Sequence, residues 1–325
     1  MTSILAQGYH NPYNGQDFFS FFAVFFQRIW GFLSGSYTLN DLVSDEVQIL
    51  VLVGVAASSA LVGTFLILRK LAMLANSISH TILLGIGLAY LMTNDPNTGR
   101  LNIQALLFAA MIMGLLTAFL TEFLTKTGKL QEDASTGLVF TTLFAIGVIF
   151  VTLLTRNAHI GLEAVMGNVD ALQIDDGKLV YIILFINILL FYLFFKEFVI
   201  TTFDAGLAKT LGFSTVFFNY LLMVQVSATT IGSFRAVGVL MVLAFITGPP
   251  LAARLLTHNL KSMLFLAVGI GVLASMIGVA FARHILTVYD VALSTGGVVV
   301  CTITMIFGLT TLFKPILRKL SYSTG

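Results

Sequence analysis

The sequence predicts an all-α fold: a polytopic helical membrane protein of about nine transmembrane helices, plus an N-terminal interfacial or short extra helix. Two observations carry this expectation. Hydrophobic residues make up 58% of the 325-residue chain and charged residues only 10%, with a mean hydropathy of +0.97. A soluble chain of this length needs far more charge to cover its surface. Apolar runs also recur along the chain, each near the roughly 20 residues that a helix needs to cross a hydrocarbon core.

Three regions follow from this pattern: an N-terminal segment over 1–46, a transmembrane body over 47–314 and a polar tail over 315–325. In the first, residues 18–33 (FFSFFAVFFQRIWGFL) are dense in phenylalanine and carry Gln27, Arg28 and Trp30. That composition favours a helix lying in the membrane interface over a short additional span. The first charged residue is Asp17, so the start of the chain lacks the basic region of a cleaved signal peptide. The apolar runs of the body fall near 47–68, 71–92, 103–122, 135–155, 178–198, 215–233, 236–256, 262–282 and 291–313.

The loops between these runs set an orientation. Eleven basic residues, Arg69, Lys70, Lys126, Lys129, Lys196, Lys209, Arg254 and Lys261 among them, fall on one side. The other side holds five: Arg100, Arg156, Lys178, Arg235 and Arg283. Basic residues concentrate in cytoplasmic loops, which predicts a cytoplasmic C-terminus in the cell (inner) membrane. Carboxylates run the other way, with Asp41, Asp45, Glu46, Asp95, Glu163 and Asp170 outside. A negative outer face gathers cations at the mouth of a pathway, although acids obey no topology rule and the bias has no functional content on the bland reading.

Several activities are excluded. No G-x-x-x-x-G-K-[ST] run is present, the nearest fragment being TKTGKL, so the chain has no phosphate loop of its own. There is no H-E-x-x-H helix and no nucleophile elbow. Cys301 is the only cysteine and lies in an apolar run, so one chain forms neither a disulfide framework nor a cysteine-based metal site. The chain is expected not to be an enzyme, to hold no cofactor and to bind no nucleic acid. Its contacts are expected to be with membrane lipid, protein subunits and a transported solute.

Polar residues inside apolar runs mark candidate sites. Residues 76–87 read NSISHTILLGIG. The run after the histidine, Thr81 to Met92, is only about 18 Å of helix, so the span begins near Leu71 and His80 lies close to the midplane. Ionisable groups at that depth face a bundle interior or a polar pathway. Asn76 and His80, four residues apart, share a helix face. Imidazole is a common ligand for zinc, iron and other transition ions. One histidine is not a site, however, and a buried interhelical hydrogen bond explains it equally well. The loop 156–177, with His159, Glu163, Asp170, Asp175 and Asp176, matches no compact metal spacing and reads better as a solvated loop than as an entrance cluster.

Two stretches of the basic side have the form of docking elements. Residues 203–212 (FDAGLAKTLG) predict a short helix with Asp204 as N-cap and Gly212 as terminator. Residues 249–262 (PPLAARLLTHNLKS) predict a second short helix after a break at Pro249, with Leu251, Leu255 and Leu256 beside Arg254. Each fits a groove in a partner protein or merely lies on the membrane.

Taken in order, these segments resemble a known family, the membrane permease subunits of metal-ion ABC importers that serve manganese, zinc and iron. GTFLILRKLAMLANSISHTILLGIGLA resembles the family's block around its pathway histidine, and EDASTGLVFTTLFAIGVIF its acid-Ala-x-x-Gly block. EAVMGN, FDAGLAKTLG and AVGVLMVLAFITGPPLAARLL are similar to three further blocks, and the likeness runs from about residue 47 to 314. Two positions depart: the family's acidic residue before the histidine falls on Asn76, which brings no charge, and its proline after it falls on Leu84. The resemblance implies a transient metal pathway at His80 and Asn76, and ATPase coupling through Asp204, Gly212, Pro249 and Arg254. It also implies cytoplasmic ABC ATPase subunits, a second permease copy or a paralogous permease, an extracytoplasmic metal-binding protein and a divalent metal ion as substrate. The rival readings are an ABC permease for a chelated metal or cobalamin, a gradient-driven secondary transporter and a membrane assembly protein.

Overall fold

The computed structural model describes residues 11–38, 41–93, 103–155 and 169–323. Among these it contains twelve α-helices, one short 3-10 turn at Val169–Ala171 and no strand. In chain order the helices are α1 (Phe18–Leu33), α2 (Ser44–Leu68), α3 (Ala72–Thr93), α4 (Ile103–Gly128), α5 (Glu132–Thr155) and α6 (Ile174–Leu193). They continue with α7 (Phe195–Phe203), α8 (Ala205–Thr210), α9 (Thr215–Val237), α10 (Val239–Leu256), α11 (Leu260–Tyr289) and α12 (Thr295–Ser323). Seven of them, α2, α5, α6, α9, α10, α11 and α12, are long and apolar enough to cross a membrane.

Each of the nine predicted runs corresponds to a long helix, with three corrections. The run at 178–198 breaks at Phe194, whose φ of −111° and ψ of 26° leave the helical region, so α6 ends there and α7 begins. The boundary near 236 falls instead at Gly238, whose φ of +79° suits a residue without a Cβ. The last helix starts later than 291, because Asp290 takes a left-handed conformation and 291–294 are not helical.

Helix α2 is the most buried of the seven and forms the axis of the bundle, touching α6, α9, α10 and α11, whereas α12 is the least buried. Apolar burial alone does not bind helices in lipid, because lipid tails are as apolar as leucine; close packing and interhelical hydrogen bonds do. Both devices are present. Gly63 of α2 lies so near α10 that a Cβ would stand 2.0 Å from the Ile246 carbonyl oxygen. Pro250 has no N–H to offer that oxygen four residues earlier, so the carbonyl is free to turn toward the glycine. Deeper in the bundle, Asn187 of α6 donates to Ser58 of α2 at 2.8 Å and to Thr229 of α9 at 2.7 Å.

The end of the bundle at which α2 begins, acidic on balance by its loop residues, is closed by the N-terminal segment. Asp45 and Glu46 open α2, both buried. Arg283 of α11 grips both Asp45 oxygens, and Arg28 of α1 grips Glu46. Asn11 adds a 2.7 Å bond to Asp45, and the buried Tyr13 hydroxyl donates to Glu46 at 2.9 Å. Helix α1 is capped by Asp17, which accepts from the Ser20 N–H at 2.9 Å. Its Phe18 N–H meets His284 Nδ1 at 3.2 Å, so α1 rests on α11. The opposite side of α1 exposes Phe19, Phe26, Trp30 and Leu33. Cys301 is exposed on α12, in an apolar groove with Ile277, Phe281 and Met305.

Candidate functional site

The chain reverses between α2 and α3 in a single tight turn. Lys70 takes φ +62°, its N–H bonds to Ile67 O at 3.0 Å, and the Leu71 N–H reaches back to Leu66 O at 2.9 Å. These paired bonds around a left-handed residue satisfy the last carbonyls of α2 and send α3 back antiparallel. His80 is the ninth residue of α3, about 12 Å along its axis. That places it well inside the helix, as expected from the length of the run.

The His80 ring is half-buried and meets two rings of α5: Phe140 at 5.2 Å between centroids and Phe144 at 5.6 Å, tilted 45° and 72°. Asn76 is half-buried one turn earlier. Between them Ser79 donates to Ala75 O at 2.8 Å, while the buried Ser77 hydroxyl meets no partner among the described residues. Below, Thr81 and Thr117 of α4 share a 2.9 Å hydrogen bond. Close packing holds the surroundings: a Cβ on Gly147 of α5 would stand 2.9 Å from the Leu84 nitrogen. His80 is therefore placed at a closely packed α3–α5 seam with an aromatic wall on one side. Among the described residues no group of three or more His, Cys, Asp or Glu is assembled, so this seam offers an imidazole and an amide but no carboxylate cluster.

Of the predicted loop cluster, His159 and Glu163 lie outside the described residues. Asp170 accepts from the Thr295 hydroxyl, Asp175 pairs with Lys178 at 2.7 Å, and Asp176 accepts from the Gln173 N–H at 3.1 Å. These carboxylates tie down the start of α6 and the foot of α12; the structure does not bring them to His80.

At the basic end, Asp204 caps α8 by accepting from the Leu207 N–H at 2.9 Å. Gly212, with φ +82°, ends it: its N–H bonds to Lys209 O at 3.1 Å and that of Phe213 to Ala208 O at 2.9 Å. Ala208 is buried while Phe203, Leu207 and Leu211 are exposed, an apolar edge made by the short helix and the residues that flank it. The second docking stretch needs correction. Pro249 and Pro250 are buried inside α10, and the helix passes through them to Leu256. Freed carbonyls are tolerated in a packed bundle because neighbouring helices re-satisfy them. Arg254 is thus the exposed last turn of a long helix rather than part of a separate one.

Sequence reasoning placed Arg69 only as a topology charge. In the fold it is the C-cap of α2, and its guanidinium donates to Thr202 Oγ1 at 3.0 Å, to Thr201 Oγ1 at 2.9 Å and to Asn219 Oδ1. Burial pulls its pKa down to about 10, which still leaves it charged at neutral pH. No spacing signal links Arg69 to partners more than a hundred residues away, so only the fold reveals it.

Three comparisons bear on this arrangement. Residues 46–314 match the model of a family described as the ABC 3 transport family. The chain is 40% identical over 309 residues to a probable metal transport system membrane protein of Chlamydia muridarum, covering 95% of this chain and 96% of that one. It is 42% identical over 245 residues to the manganese transport system membrane protein MntD of Bacillus subtilis (71% and 80% covered). It is 37% identical over 266 residues to the zinc transport system membrane protein TroD of Treponema pallidum (72% and 71%). Among solved structures, it resembles PsaBC from Streptococcus pneumoniae in complex with Fab, with a TM-score of 0.72 at 26% identity, over 91% of this chain and 99% of that one. A metal-chelate type ABC transporter in an inward-facing conformation shares the fold at a TM-score of 0.61 and 14% identity, over 82% and 84%.

Proposed function

Since the chain belongs to the ABC 3 transport family, we propose that it is the membrane permease subunit of an ATP-driven importer of divalent metal ions, manganese, zinc or iron. The observation that carries this reading is the family match over residues 46–314, which takes in every helix from α2 to the body of α12. Relatives named for metal, manganese and zinc transport, aligned over most of their own length, support the cargo class. The chelated-metal alternative has only a likeness of fold behind it.

In this reading α3 and α4 cross the membrane beside the other seven, giving nine spans, while α1 lies in the interface. The basic end faces the cytoplasm with the C-terminus, and the membrane is the cell inner membrane. ATPase subunits dock against α8 and the last turn of α10, using the apolar edge of α8 and the charge of Arg254. ATP hydrolysis belongs to those partners, because this chain has no phosphate loop. A second permease, identical or paralogous, completes the pathway, and a metal-binding protein delivers the ion at the outer face. His80 and Asn76 line the route: a neutral imidazole offers a lone pair and the amide an oxygen to a passing cation. With no cluster of three or more His, Cys, Asp or Glu among the described residues, the ion is held weakly, which favours release.

The test is uptake by proteoliposomes holding this chain, its ATPase and its partner permease. Manganese, zinc and iron are supplied singly, with and without ATP. ATP-dependent accumulation of at least one metal is expected. His80→Ala should abolish most of it at normal assembly, and His80→Gln should restore manganese, which tolerates oxygen ligands, better than zinc. Uptake that ignores ATP would overturn the importer; full uptake of every metal by the glutamine variant would overturn the pathway role.

A further inference from the structure

Arg69 lies where three segments of the basic end meet. Its guanidinium reaches Thr201 and Thr202, the last turn of α7, and Asn219, in the first turns of α9. Between those two anchor points runs the segment 204–214, with α8 and its exposed apolar edge. One side chain therefore grips both roots of the docking segment. Both threonine hydroxyls donate their own hydrogens to backbone carbonyls, Thr201 to Glu197 O at 2.7 Å and Thr202 to Phe198 O at 2.6 Å. Their lone pairs are thereby turned toward the guanidinium.

The arginine's own backbone leads elsewhere. It caps the C-terminus of α2, and after the left-handed Lys70 the chain enters α3, the helix of Asn76 and His80. The turn has no slack, being closed by the Leu71–Leu66 bond. A ring cluster backs the junction, with Phe65 stacked on Phe191 at 4.7 Å and Phe198 against Phe218 at 5.4 Å. All three acceptors of Arg69 are neutral. Hydrogen bonds to a charged donor are stronger than neutral ones, yet none of these leaves an orphaned carboxylate when it breaks.

We propose that Arg69 is a positioning residue that couples the docking segment 204–214 to the α2–α3 turn, so that movement of a docked partner is passed to the helix carrying His80. The inference rests on the permease reading and adds the route by which the two ends of that mechanism communicate. A planar fork with several donors is needed to hold two hydroxyls and an amide from two segments at once; a lysine ammonium meets fewer of them in that geometry.

The experiment uses the complete complex with its ATPase in proteoliposomes and reads metal ions moved per ATP hydrolysed. Arg69→Gln, Arg69→Lys and the double variant Thr201→Val with Thr202→Val are compared with the native chain. ATPase association and hydrolysis should persist, while ions moved per ATP fall about tenfold in Arg69→Gln and in the valine pair. Arg69→Lys should recover only part of the loss. An unchanged ratio in Arg69→Gln would overturn the proposal. So would complete recovery with lysine, which would make Arg69 a mere basic-end charge, or loss of the ATPase from the valine pair, which would make the contact one of folding. If the native complex itself shows no ATP-dependent uptake, the permease reading has failed, and that is seen before any variant is compared.

Discussion

At one end of α2, two buried carboxylates, Asp45 and Glu46, are each gripped by an arginine from another helix. At the other end of the same helix, a half-buried arginine meets only hydroxyl and amide oxygens. The difference is one of reversibility. Separating a buried ion pair strands two charges, which costs far more than the pair is worth when intact. Separating Arg69 from Thr201 leaves a hydroxyl that keeps its backbone bond and a guanidinium that can turn toward water. The acidic end is built as an anchor, and the basic end as a joint.

The sharpest way to break the anchor is Asp45→Asn, which leaves Arg283 without its charge partner. It should lower unfolding stability by about 3–5 kcal/mol, as thermal melts of the purified protein would register. Pairing it with Arg283→Gln should recover part of that loss; strict additivity of the two losses would contradict a direct pair. Next in size is the fulcrum between the two ends. Gly63→Ala puts a methyl 2.0 Å from the Ile246 oxygen and forces α2 from α10, at a cost of about 1–3 kcal/mol by the same melts. At the joint, Arg69→Gln should cost only about 1 kcal/mol of stability. A melting loss equal to that of Asp45→Asn would erase the contrast between the ends.

The smallest effect is a pH dependence at the anchor. Burial, and then the charge of Glu46, holds the Tyr13 phenol above its ordinary value. The folded state therefore keeps that proton more tightly than the unfolded chain. Its contribution is complete below the unfolded value of about 10 and declines as pH rises through and beyond it. Protease access to residues 11–17 should be flat from neutral pH to the onset of that window and then increase. Tyr13→Phe should remove the rise; a rise beginning near neutrality would place its cause elsewhere.

Much of the fold was legible because a membrane span writes itself as a run of apolar residues: the nine runs fall on helices, seven of which are long and apolar enough to cross among the described residues. The short helix α8 was legible too, since Asp204 and Gly212 are local capping signals that need no tertiary partner. Pro249 misled for the opposite reason. In a soluble helix a proline pair marks a break, but a packed bundle tolerates the freed carbonyls, and that of Ile246 lies close against Gly63. Phe194 carries no breaker signal at all, so the boundary between α6 and α7 was invisible. The candidate site divided in the same way. His80 announced itself as an imidazole in an apolar run, whereas its α5 wall of Phe140 and Phe144 belonged to a helix with no pattern pointing at it. Arg69 was hidden for the same reason: its partners come from α7 and α9, far along the chain.

The solitary thiol of Cys301 gives this molecule a spectroscopic address. It is exposed on the least buried of the candidate spans, so a nitroxide attached there replaces nothing in the core and needs no engineered background. Each chain then carries one spin. In a complex of two identical chains, double electron–electron resonance records a single interspin distance; in a complex with a cysteine-free paralogous chain it records none. The native sequence thus already contains the label site that distinguishes a symmetric transporter from an asymmetric one.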